Sequence, residues 1–128
     1  MTMKFAIALV VLALIAPPLA ATAEEVPDAL AVEWQGKKVC ENLYEDAEIR
    51  VLRCTLPPGA VHVKHSHPAS FGYVLSGGQS QVTDSKGTRP GESKTDDYWN
   101  GNPIPWHEVA NIGTTVQRYL LVEKKYAQ

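Results

Sequence analysis

Three histidines are the residues in this chain best suited to chemistry: His65 and His67, one residue apart, and His107, forty positions further on. Imidazole binds Zn, Cu, Fe and Ni through a ring nitrogen. On a β-strand, residues i and i+2 project to the same face, so His65 and His67 would enter one cavity as adjacent ligands of one ion. By itself an H-x-H pair is a weak signal, more often an exposed polar pair on a strand, and the weight comes from its surroundings. His62, three residues before His65, has the opposite strand parity unless a bulge intervenes. It is read as a surface histidine or an outer support of the site. Tyr73 and Trp106 are candidate pocket residues, and Trp99 could floor a cavity, although packing is the default role of all three. Alternation points Glu108 away from the site. Arg118 reads as part of a solvated face.

Three neutral imidazoles would leave a divalent ion with its full charge. The remaining positions would then go to water or to an anionic ligand. Such an ion can polarise a bound oxygen atom or activate dioxygen, depending on the metal. Mn, Fe, Zn, Ni and Cu all suit the donors, although an oxidising compartment disfavours persistent Fe(II). Ligands must be deprotonated, so affinity is expected to fall as pH drops through about 6–7.

The elements that must position these rings read as short β-strands. No segment after residue 23 sustains a 3.6-residue period. Candidate strands are 31–35, 38–43, 48–56, 61–64, 71–75, 79–83, 97–99, 106–110 and 115–123. Pro57-Pro58-Gly59, Gly77-Gly78, Asp84-Ser85-Lys86-Gly87, Asn100-Gly101 and Asn111-Ile112-Gly113 turn the chain between them. Many short strands at this spacing predict an all-β sandwich, jelly roll or barrel.

The length of 128 residues allows one domain, and 45% hydrophobic with 20% charged residues is an ordinary globular composition. A net charge of −2 with no block of like charges argues against nucleic acid and against an anionic membrane surface. Lys4, the apolar run Phe5–Ala16 and Ala21-Thr22-Ala23 form a secretory signal peptide, Met1–Ala23, cut before Glu24. The run is too short to span a bilayer comfortably, so a periplasmic or secreted protein without a stable membrane anchor is expected. The mature domain would be 24–128. Export brings Cys40 and Cys54, the two cysteines, to an oxidising compartment. If Tyr44 faces Arg50 around a bend at Asp46-Ala47-Glu48, then Cys40 faces Cys54 at about 4.5–5.5 Å between Cα atoms, within disulfide range. Two separate thiols in a differently registered hairpin are the alternative.

Gly59 stands five residues before His65, and Tyr73-Val74-Leu75-Ser76-Gly77 follows as an apolar strand ending in glycine. Later, Pro105-Trp106-His107 precedes Asn111 by three intervening residues. In these features the chain resembles the cupin superfamily, in its small single-domain, type-2 or RmlC-like form. The superfamily's motifs read G-x5-H-x-H-x3/4-E-x6-G and P-x-G-x2-H-x3-N, and the resemblance covers Leu56 to Lys124. It implies a double-stranded β-helix of two antiparallel sheets with a metal inside the barrel mouth. His65, His67 and His107 match the ligand histidines. Gly59, Gly77 or Gly78, Asn111 and Gly113 match turn positions. The motif glutamate should fall at Ser70 or Phe71, neither of which replaces a carboxylate, and Asn102-Pro103-Ile104-Pro105 departs from P-x-G. Three-histidine sites are known in the superfamily, among thiol and diketone dioxygenases. The order Y-V-L-S-G-G, Trp, H-x3-N-x-G and Leu121-Val122-Glu123 also looks like small cupins grouped with a beta-alanine degradation protein.

Two functions from different classes follow. One is a metal-dependent dioxygenase, isomerase or lyase acting on a small anionic or chelating molecule. The other is a non-catalytic module that captures a metal or small ligand. A barrel serving stability or association alone is the third reading, with no physical need to keep three histidines together. By analogy with other cupins, a homodimer is expected.

Overall fold

The computed structural model describes residues 23–126, together with Met1 and Ala20. Most of the expected signal peptide, Met1–Ala23, thus lies outside the described residues. Among those residues the regular elements are eleven strands: β1 Glu33–Trp34, β2 Lys37–Lys38, β3 Cys40–Glu45, β4 Ile49–Leu56, β5 Val61–His67, β6 Ser70–Ser76, β7 Gly78–Asp84, β8 Gly87–Ser93, β9 Tyr98–Gly101, β10 Ile104–Asn111 and β11 Gln117–Lys124. They form a β1–β2 hairpin, a four-stranded sheet ordered β5-β10-β7-β8, and a five-stranded sheet ordered β3-β4-β11-β6-β9. All strand pairs are antiparallel. From β4 onward the chain passes repeatedly between the two larger sheets. This is the double-stranded β-helix, or jelly-roll, arrangement.

Alternation explains which side chains fill it. In β4, Leu52, Cys54 and Leu56 are buried, and in β11, Gln117, Leu121 and Glu123 are, while their neighbours are less so. Leu52, Leu56 and Leu121 pack with Ala29, Val39 and Ala60 into one apolar cluster. Burying each leucine contributes about 1.5–3 kcal/mol. The cluster anchors β4 to β11 and so holds the wall against which the histidine-bearing sheet closes. Asn111, also buried, ties the loops at the end of β10. Its Nδ2 donates to the Leu56 and Thr115 carbonyls, both at 2.8 Å, and its Oδ1 accepts from the Gly113 amide.

Several expected elements differ. The stretch 31–35 is not a single strand but the first arm of the β1–β2 hairpin, which turns at Gln35 and Gly36 with φ of 50° and 73°. The strand at 61–64 continues to His67 and carries both histidines. Residues 87–93 were expected to hold no strand, yet form β8. Its Pro90 lacks an amide hydrogen, which an edge strand tolerates because one side needs no partner. In the β3–β4 hairpin Cys40 pairs with Cys54, and the two sulfurs are bonded. A register shift at Leu43 then puts Tyr44 opposite Val51 and Glu45 opposite Arg50, so the expected Tyr44–Arg50 pair does not form.

Candidate metal centre

The three rings meet because β5 and β10 are neighbours whose register slips twice. Ile104 faces His67, and an unbroken ladder from there would set Trp106 opposite His65. Instead Pro105 and Trp106 together span the position opposite Ser66, and His107 faces His65. One step on, β5 carries the extra residue: Val63 and Lys64 lie opposite Glu108, and His62 faces Val109. These are bulges on facing strands, one on each. The first turns His107 inward; the second returns His62 to the same side as His65. Trp106 is thereby displaced from the pocket, where it had been a candidate. Lys64 Nζ lies 4.9 Å from the centre of its ring, and Trp106 is not part of the cavity wall.

His65 is fully buried, His67 nearly so and His107 partly. The Nε2 atom of His65 lies 2.9 Å from that of His67 and 3.0 Å from that of His107. One nitrogen from each ring can be chosen so that all three lie within 4.8 Å of one another. Their hydrogen-bond partners fix the tautomers. His65 Nδ1–H donates to the Val63 carbonyl at 2.7 Å, and His67 Nδ1–H donates to Glu123 Oε1 at 2.8 Å. In the neutral rings both Nε2 atoms are therefore lone-pair acceptors, facing each other at hydrogen-bond distance with no hydrogen between them. Facing acceptors need a cation. A proton would serve two of the nitrogens, whereas a metal ion serves three. Two nitrogens each about 2.1 Å from one ion at a right angle are about 3.0 Å apart. The residues present fit a divalent metal.

His62 is buried, stacks on His65 with ring centroids 3.5 Å apart, and donates Nε2–H to the Ala29 carbonyl at 3.1 Å. Not a surface residue, it buttresses the central ring from behind. Burial, followed by the neighbouring imidazoles, pushes His65 down to about 2. Burial pushes His62 and His107 down to about 4. Neither His65 nor His107 competes for a proton at 6–7, as free histidine would.

Glu123 belongs to the site although no motif marks it. It lies on β11, fully buried, and its carboxylate is shared between His67 and Arg50, whose Nε donates at 2.7 Å. Arg50 also binds Asp28, so a line of alternating charges runs from the surface to the site. Glu123 is the cross-strand partner of Ser70. Ser70 faces the cavity and Phe71 faces out, so Ser70 occupies the inward position at which the cupin motif has its glutamate. A carboxylate is present after all, one strand over, holding the His67 ring from behind. An acid on the inward parity of a strand, in step with Gln117 and Leu121, was the available signal.

Beside the rings lies a cavity of about 280 Å³ between the sheets. Leu56, Val82, Val109, Leu121 and Trp99 form much of its wall, with Ser70, Ser80 and Tyr119 supplying hydroxyls. Trp99 fits because Gly72 has no side chain: a Cβ there would come within 2.1 Å of the indole. Tyr73, the other pocket candidate, points out of the cavity and donates to Asp96 at 2.7 Å. The Pro68-Ala69 connection ends one strand and begins the next, so parity does not carry over from His67 to Tyr73. Arg118 is also outside the cavity wall.

No family model matches the chain, and no curated protein matches it. Solved structures do. A cupin domain from Bordetella pertussis superposes with a TM-score of 0.63 at 16% identity, covering 68% of this chain and 92% of that one. An uncharacterized protein with a double-stranded β-helix domain from Klebsiella pneumoniae gives 0.58 at 21% identity, covering 73% and 83%. An RmlC-like cupin family protein from Methanocaldococcus jannaschii gives 0.52 at 16%, covering 73% and 89%. At such identities the likeness establishes the fold: this chain has the cupin double-stranded β-helix, with three histidines clustered inside it.

Proposed function

We propose that His65, His67 and His107 hold one divalent ion through Nε2, and that a small anionic or chelating molecule binds on the ion's open side. The observation that carries this is the convergence of three imidazole nitrogens, two of them facing acceptors at 2.9 Å, beside a cavity large enough for a ligand. A structural zinc site has four protein ligands, whereas a reactive one keeps a position open. Here three are offered, and the remaining space is the cavity. When bound, the ion supplies Lewis-acid or redox chemistry, which suits a dioxygenase, isomerase or lyase type of reaction.

The chain's own residues hold and orient. Val63 and Glu123 fix the tautomers of His65 and His67, His62 backs the central ring, and the apolar walls exclude water. A non-catalytic capture module is the second reading, favoured by one observation. Ser80 and Tyr119 both donate their hydroxyl hydrogens to Gln117 Oε1, and Glu123 is engaged by Arg50 and His67. The wall thus offers few groups free to move a proton. Export to the periplasm or beyond belongs to the same proposal, supported by the apolar N-terminal run and the Cys40–Cys54 bond. So does a homodimer through an exposed edge strand, β8, β9 or β3.

The test is elemental analysis of protein purified from the exported fraction, with His65→Ala and His107→Ala alongside. Near-stoichiometric metal in the native protein and none in either variant is the expected result; a metal-free native protein overturns it. Oxygen uptake against a panel of thiols, diketones and aromatic acids then separates enzyme from binder.

A further inference from the structure

The chemistry of the cavity wall narrows the ligand class, on the premise that the three histidines hold an ion. About 280 Å³ corresponds to roughly nine waters of liquid volume, and hence to a molecule of about that many non-hydrogen atoms. No lysine or arginine lies among the lining residues. Three other cations of the fold are committed elsewhere. Arg50 is bound to Glu123 and Asp28, Arg89 to Asp84, and Lys64 sits over Trp106. The one acid on the wall is Glu92, exposed on the edge strand β8. Two of the wall's hydroxyls, those of Ser80 and Tyr119, already donate to Gln117, which leaves their oxygens as acceptors toward the cavity. A second negative charge on a ligand would meet no cation there, only hydrocarbon and neutral hydroxyl groups. An uncompensated charge moved from water to such surroundings is strongly disfavoured.

We propose that the site selects a compact monoanion: one carboxylate, alone or with a neighbouring hydroxyl or oxo group, directed at the ion, and an apolar body of about five or six carbons. That body rests against Leu56, Val82, Val109, Leu121 and Trp99. Dianions and tricarboxylates are rejected because the far wall offers no cation to pair their further charges.

The test uses cobalt(II)-loaded protein at pH 7.5, with the visible absorption of the ion as the reporter of a carboxylate arriving on it. Acetate, butyrate, hexanoate, decanoate, benzoate, succinate and citrate are titrated in turn. Affinity is expected to rise about fourfold per methylene from acetate to hexanoate and to fall at decanoate, which exceeds the cavity. Succinate, the four-carbon dianion, is expected to bind at least tenfold more weakly than butyrate. Val82→Lys, which introduces a cation into the wall, should narrow that gap at least fivefold. A cobalt-loaded native protein that binds succinate or citrate as tightly as butyrate, or shows no chain-length dependence, overturns this inference and leaves the metal site standing. A folded protein that takes up no cobalt overturns both.

Discussion

Glu123→Gln isolates the part of the proposed centre that lies behind the three histidines. The substitution keeps the shape of the side chain and removes its charge. In the native protein Oε1 accepts from His67 Nδ1 at 2.8 Å while Oε2 accepts from Arg50 Nε at 2.7 Å. A carboxylate in that place fixes the ring's orientation and raises the basicity of the opposite nitrogen; losing such a partner typically weakens metal binding by about 10–100-fold. Stability falls as well. Breaking a buried ion pair costs about 3–5 kcal/mol, but the Arg50 side chain is 18% exposed and keeps Asp28. A cost of about 2 kcal/mol, in the range of one hydrogen bond to a charged group, is the better expectation. The assay is competition for cobalt(II) or zinc against a chelator of known affinity, with a urea unfolding curve on the same preparation. Ser70→Ala is the control, because Ser70 lies directly across from Glu123 and touches none of the three rings through a hydrogen bond. It should change affinity less than about twofold. A cooperatively folded Glu123→Gln protein with native metal affinity would falsify the assignment of Glu123 as the residue that positions His67.

Protonation provides a second test. His65, His62 and His107 are held below their ordinary value in the fold, so the unfolded chain binds more protons than the native one below about pH 6.5. Metal-free protein should therefore have a constant urea midpoint above pH 7, declining as pH falls through 6.5 toward 4; a midpoint that rises on acidification contradicts the burial described. Reducing the Cys40–Cys54 bond, which closes a separation of 14 residues, should cost about 3 kcal/mol. This reads as a urea midpoint lower by roughly 2 M for a domain of this size, and an unchanged midpoint would exclude the bond as a support. Gly72→Val drives a side chain into the indole of Trp99. Overpacking of this kind costs about 1–3 kcal/mol, and the displaced indole should shift tryptophan emission to the red; unshifted emission in a folded variant would show that Trp99 does not occupy the wall.

What the sequence made legible was local. Period-two alternation, the glycine and asparagine turns and the i, i+2 spacing of His65 and His67 depend on a few neighbouring residues, and they were enough for an all-β fold. Non-local or compensated features were not legible. Val63-Lys64 and Pro105-Trp106 carry no signature of a bulge, so His62 stayed open between a surface position and an outer support of the site, and Trp106 was offered as a pocket residue. The strand Gly87–Ser93 was hidden by Gly and Pro, which an edge tolerates and a central strand does not. Glu123 was invisible as a partner of His67 because 56 residues separate them and β11 meets β6, not β5. Its meaning emerges only when strand order is known. Likewise, which of Ser70 and Phe71 faces inward depends on where β6 begins after Pro68-Ala69.

The two bulges between β5 and β10 have a consequence for ancestry. Each strand carries one surplus residue, and outside the His65–His107 pair the surpluses cancel. Loss of a surplus residue from one strand alone would leave a single uncompensated bulge beside the His65–His107 pair, while a matched loss from both would restore an ordinary ladder. The identity of a donor can change by a single substitution, but the paired offset that frames the donors changes only through insertion or deletion, and keeping the flanking ladder in step takes one such event in each of two segments some forty residues apart.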